Sequence, residues 1–148
     1  MIITIRQDDG TDERLDTDDL SALEAAAIEE ALRDVPWRGI EMRLQAQDPT
    51  ALRAVLWAFR KREEPDLEFA TFDVPNWRRR LKARLSRAEI DEALTNVMRE
   101  ALAKSEDSTI DVLTPHLRKL AHDPDDVDQA LEDLGKGHLA RRRKDSED

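Results

Sequence analysis

His116, His122 and His138 are the side chains here best suited to metal or proton chemistry, and their spacing of six and sixteen argues against a metal. A zinc site needs a fourth ligand and closer, helix-phased partners, and the chain has no cysteine to supply one. Asp123, Asp125, Asp126 and Asp128 imitate the start of a calcium loop, but the sixth position is not glycine and the twelfth is Leu134, not glutamate. The four glycines, at 10, 39, 135 and 137, make neither common phosphate-cradling loop. No serine or histidine sits in a recognisable activating context, and among 34 acids no pair is singled out for acid and base work. The reading is therefore a non-enzyme, with no catalytic, cofactor-binding or metal-binding residue.

Binding chemistry is better represented. Trp77 is followed by Arg78, Arg79, Arg80, Lys82, Arg84 and Arg87, and with Asn76 as N-cap the spacing of Trp77, Leu81 and Leu85 predicts an amphipathic helix with a basic face. Such a helix suits phosphates. A net charge of −10 and a single aromatic for stacking weigh against that use; a solvated face, or a strip for the protein's own acidic segments, is the competing reading.

The apolar counterpart lies between Asp48 and Asn76. Leu52, Val55, Leu56 and Phe59 recur at helical spacing, while Ala51, Ala54, Trp57 and Ala58 carry apolar surface around the cylinder. Asp48 is a good N-cap and Pro49 a good first residue. Arg60, Lys61 and Arg62 sit where the helix dipole favours cations, and Pro65 ends the segment.

The order of these pieces resembles the tail assembly chaperones of long-tailed bacteriophages of actinobacteria: an apolar helix with a tryptophan, a charged exit running into Pro65-Asp66, then Phe69-Ala70-Thr71-Phe72-Asp73. A strand (Ile2 to Arg6) and an acidic helix (Asp18 to Arg33) precede them, as in that family, and the likeness stops near Leu85. The resemblance implies a non-structural protein of the host cytoplasm, not retained in the mature virion. It would bind and solubilise the tape measure protein and promote assembly of the tail tube protein around it. It also implies a longer form made by a minus-one frameshift, with which Gly135-Lys136 is compatible. The residues expected to meet the partner are Leu52, Leu56, Trp57 and Phe59, with Arg60, Lys61 and Arg62 at the rim; the alternative is that they form only the domain's own core. The second functional reading is a small acidic regulatory or adaptor protein, binding nucleic acid through the Trp77–Arg87 helix.

Composition bounds the scaffold. Leu, Ile, Val and Phe make up 34 of 148 residues, little above the ~20 % below which highly charged chains stay disordered. The core is expected to be thin, and the surplus apolar area of the Trp57 helix to be meant for another polypeptide, by self-association or a partner. The N-terminus lacks the pattern of a secretory leader, and no apolar run is long enough to cross a membrane. Charge comes in blocks: residues 1–35 carry −8, 36–104 carry +3, 105–134 carry −7 and 135–148 carry +2. Blocks of opposite sign attract within one molecule or head to tail between molecules.

The expected fold is mainly α: a small helical domain with a minor N-terminal β element, followed by a C-terminal helical segment. The divisions are 1–76, 77–134 and a mobile charged tail, 135–148. Ile2, Ile3 and Ile5 read as a strand ended by Asp8-Asp9-Gly10; Thr17 caps a helix whose stripe includes Leu20, Leu23, Ile28 and Leu32; 37–47 is ambiguous. Ser86 and Glu89 form a capping box for a helix through Leu102. Ser108, Thr114-Pro115 and Asp123-Pro124 offer further starts, and Gly135 a stop. Trp37, Trp57 and Trp77 are spaced by twenty without matching flanks, so no repeat is assigned.

Overall fold

The computed structural model describes residues 1–104 and 108–145. Among these the chain is mainly helical with one three-stranded antiparallel sheet, and it divides into two units, Met1–Arg84 and Leu85–Asp148.

In the first unit β1 (Ile2–Arg6) takes the centre of the sheet, between β2 (Asp12–Asp16) and β3 (Leu81–Arg84). Its isoleucine-rich sequence suits a central strand buried on both sides. Ile3 stands between Leu15 and Ala83, and Ile5 between Glu13 and Leu81. The β1–β2 turn holds Gly10 at φ 85°, a left-handed value that glycine adopts without strain. After a 3-10 turn at Thr17–Asp19, capped by Asp16, α1 runs Ala22–Ala31. Its cap is Ser21, not Thr17: the Ser21 hydroxyl accepts from Glu24 N–H while the Glu24 carboxylate accepts from Ser21 N–H. The ambiguous stretch becomes α2 (Trp37–Gln45), and α3 spans Pro49–Arg60 with the Asp48 carboxylate accepting from the Thr50 and Ala51 amides at 2.9 Å.

The expected Trp77 helix is not formed. One turn, α4 (Trp77–Arg80), passes into β3, and Asn76 precedes it in a left-handed conformation (φ 58°) without a side-chain cap. A spacing of four satisfies a strand's period of two as well as a helix's 3.6, so Leu81 and Leu85 did not distinguish them. Ala83, buried between exposed Lys82 and half-buried Arg84, does. Because β3 pairs with β1, the first unit extends to Arg84, beyond the expected boundary at Asn76. Its outer edge is closed by Gln47, whose side-chain amide donates to Ala83 O at 2.9 Å and accepts from Ala83 N–H at 3.0 Å. One side chain does the work of a further strand.

The second unit contains α5 (Arg87–Lys104), α6 (Ser108–Leu120) and α7 (Asp125–Asp145). The Ser86–Glu89 capping box is present. Leu85 donates to Leu120 O and accepts from His122 N–H, both at 2.8 Å, which ties the start of α5 to the end of α6. Ile90, Leu94, Leu117, Val127 and Ala130 fill the interior. Arg87 reaches from α5 to Gln129 and Asp133 of α7. Two expectations are corrected. Pro115 lies inside α6 rather than at a helix start, and α7 continues through Gly135, so Lys136–Asp145 is helical rather than a tail. A glycine inside a helix costs only about 1 kcal/mol, so Gly135 does not by itself stop one. Residues 146–148 lie outside the described part.

Candidate functional site

The seven residues expected to meet a partner all belong to α3 and its exit, and Leu52, Leu56, Trp57 and Phe59 are enclosed by their own unit. Leu52 is wholly inaccessible; Trp57 and Phe59, the least covered, are each 7 % exposed. Helices α1 and α2 pack against α3, and the connector after α3 folds back over it. The Trp57 indole N–H donates to Leu67 O at 2.9 Å, and its ring meets Phe69 at 5.4 Å between centroids, tilted by 58°. Each large apolar side chain so covered contributes ~1.5–3 kcal/mol to folding. The expectation that this face is spare is therefore overturned: α3 is the core of the first unit.

The rim cations are likewise engaged within the chain. Arg60 grips the Glu13 carboxylate of β2 with two hydrogen bonds, at 2.8 and 2.6 Å. This raises the guanidinium's pKa and holds the Glu13 carboxyl below its ordinary value against the opposing effect of burial. Arg62 binds Glu24 at 2.6 and 2.9 Å and the Asp19 carbonyl at 2.9 Å, and lies 4.7 Å from the Phe59 ring centroid. The Lys61 ammonium sits 5.0 Å from the Trp57 ring centroid. Hydrogen bonding from Arg62, then from the Ser21 amide, pushes the Glu24 carboxyl down to about 2.

Arg53 was not singled out from the sequence, and it organises the connector. Its guanidinium donates to Phe69 O at 2.8 Å and Phe72 O at 2.6 Å and stacks 3.9 Å from the Phe69 ring centroid. A cation in the middle of a largely apolar helix, four residues before Trp57 and away from the cationic C-terminal end, is the available signal. Arg53, Trp57, Phe69 and Phe72 form one clasp.

The chain matches no protein-family model, no curated protein and no solved structure. Its surface must be read from its own chemistry.

The basic run is divided rather than gathered on a helix. Arg78 and Arg79 are exposed on α4, with Arg78 5.5 Å from the Trp77 ring centroid. Arg80 donates to Arg6 O, Lys82 points outward from β3, and Arg87 is bound to Asp91 and Asp133 in the second unit. The Trp77–Arg87 helix proposed to bind nucleic acid does not exist as one element. Of the acids that imitate a calcium loop, Asp123 accepts from the Asp125 amide ahead of α7, and Asp128 pairs with Arg118. Among the described residues no group of three or more His, Asp or Glu is arranged to hold a metal, and no helix is long and apolar enough to cross a membrane.

Apolar surface is instead exposed at Leu23 of α1 (84 %), Met42 of α2 (67 %), Leu102 of α5 and Val112 of α6 (78 %). A cavity of about 190 Å³ opens beside the start of α3, walled by Pro49, Thr50, Val74, Trp77 and Leu81, with Arg53 and Asp73 at its polar side.

Proposed function

We propose that this chain is a phage tail assembly chaperone that binds the tape measure protein, keeps it soluble and promotes assembly of the tail tube. The observation that carries the reading is the segment Asp48–Asp73. Its resemblance rests on an apolar tryptophan helix, a charged exit and an aromatic connector, and here the helix is bonded to the connector by Arg53, which donates to Phe69 O and Phe72 O, and by Trp57, which donates to Leu67 O.

In this reading α3 is scaffold and the client is met elsewhere. Among the described residues Leu23, Met42, Leu102 and Val112 are the large apolar side chains left exposed, on a protein whose net charge of −10 keeps the carrier dispersed. Many weak copies along one long client act through avidity. The protein works in the host cytoplasm, with the tail tube protein as second partner and a frameshifted longer form as companion.

Co-expression with the tape measure protein tests the proposal. The chaperone raises the soluble fraction of the client, and replacing Leu102 and Val112 together by lysine reduces that gain without unfolding either unit. An unchanged client solubility with the unaltered protein sinks the proposal.

A further inference from the structure

The first unit carries an exposed apolar knob and an open cavity of mixed polar and apolar lining at opposite ends of α3. Leu23 stands out from α1 at 84 % exposure. Around it lie exposed Asp19, Ala22, Ala26 and Glu30, a low helical surface edged with acid. The neighbouring Glu24 is held by Arg62, just past the C-terminal end of α3, so the knob belongs to that end. The cavity lies at the other, beside Pro49 and Thr50. A helix of 12 residues separates the two by about 18 Å.

The two features match in size and in charge. The 190 Å³ here exceeds the roughly 150 Å³ that holds a benzene-sized group, so a leucine side chain fits by volume, against Pro49, Val74, Trp77 and Leu81, with Thr50, Arg53 and Asp73 left at the polar side. The exposed Arg78 and Arg79 of α4, whose first residue Trp77 walls the cavity, have no carboxylate partner among the ion pairs of the described residues. Glu30 beside Leu23 likewise makes no side-chain ion pair there, while Asp19 is attracted to Arg62 at longer range.

We infer that the cavity receives Leu23 of a second copy of this chain, with acids of the donor facing the arginines of the acceptor. Knob and cavity lie on different surfaces, so the contact is heterologous: each copy gives at one end and receives at the other. Such a contact propagates along the α3 direction as an open row unless its rotation closes a ring. The inference is independent of the tail-chaperone proposal and needs no client.

Complementation tests it. Leu23→Gln removes the knob, and Thr50→Glu places a carboxylate in the mouth of the cavity at a helix N-terminus, where a negative charge is favoured. Both positions are exposed, so circular dichroism of each variant matches the parent. In sedimentation velocity the parent associates in a concentration-dependent manner that added salt weakens, and each variant alone is monomeric. An equimolar mixture of the two forms a dimer and goes no further, because only one knob and one cavity remain between them. A parent that stays monomeric to about 1 mM, the range of weak contacts, overturns the inference. So do variants that associate like the parent, or a mixture that fails to form the dimer.

Discussion

The two units solve the problem of a thin core in different ways. The first closes over a long sequence interval: β1 at residues 2–6 pairs with β3 at residues 81–84, and every helix between them is enclosed by that pairing. The second pairs α5 most extensively with α7, with α6, the helix between them in sequence, packed against both. The larger share of the buried apolar side chains among the described residues lies in the first unit. Closure over a longer stretch of chain makes folding slower, and the β1–β3 pairing spans more residues than any helix pairing of the second unit. Apolar content alone would not have distinguished them; where the covering strand comes from does.

The largest test of that contrast is Leu52→Ala, at a wholly buried position. It should cost the first unit, where all three tryptophans lie, about 3 kcal/mol in urea denaturation followed by tryptophan fluorescence, whereas Leu102→Ala, at an exposed position in α5, should change the stability of the second unit, followed by helical circular dichroism, by less than about 0.5 kcal/mol. Equal losses would break the comparison. Next is Pro115→Ala. Proline inside a helix lacks an N–H and crowds the preceding turn, at a cost of up to about 3 kcal/mol. The substitution should therefore stabilise the second unit and slow amide exchange in α6 while leaving α3 unchanged.

Gln47→Ala removes both hydrogen bonds that close the β3 edge, and a loss of about 1–2 kcal/mol is expected. Faster exchange at Ala83 should accompany it, together with a greater tendency to aggregate through the uncovered strand. The smallest effect is titration of Glu24. Its carboxyl lies near 4.5 when unperturbed and at about 2 in the folded unit. The stabilisation by Arg62 is complete above 4.5 and is lost as pH falls toward 2, because the unfolded chain takes up the proton first. Glu24→Gln should flatten the acid limb of the stability curve in that window.

Local signals were legible where the chemistry is local. Asp48 and Pro49, the Ser86–Glu89 box and the isoleucine strand all formed as their residue types require. The missed features depend on distant partners. The sequence of β2, Asp-Glu-Arg-Leu-Asp, reads as polar loop until β1 is placed beside it. β3 was hidden by a spacing common to both periodicities, and the clasp of Arg53 links residues sixteen and nineteen apart. The seven site residues read in the sequence as a dense apolar patch with a cationic exit. Their enclosure was not visible, because the connector, α1 and α2 that cover them meet α3 only through tertiary packing.

The position of β3 at the end of the first unit has a consequence for synthesis. The ribosome completes α3 at residue 60 but must add another 24 residues before the strand that pairs with Ile2–Ile5 has been made. At ~5–20 residues per second this interval lasts about 1–5 s. During it the nascent chain lacks its closing strand, and the oily side of the tryptophan helix depends on early docking with α1 and α2 to avoid capture by cellular holdases.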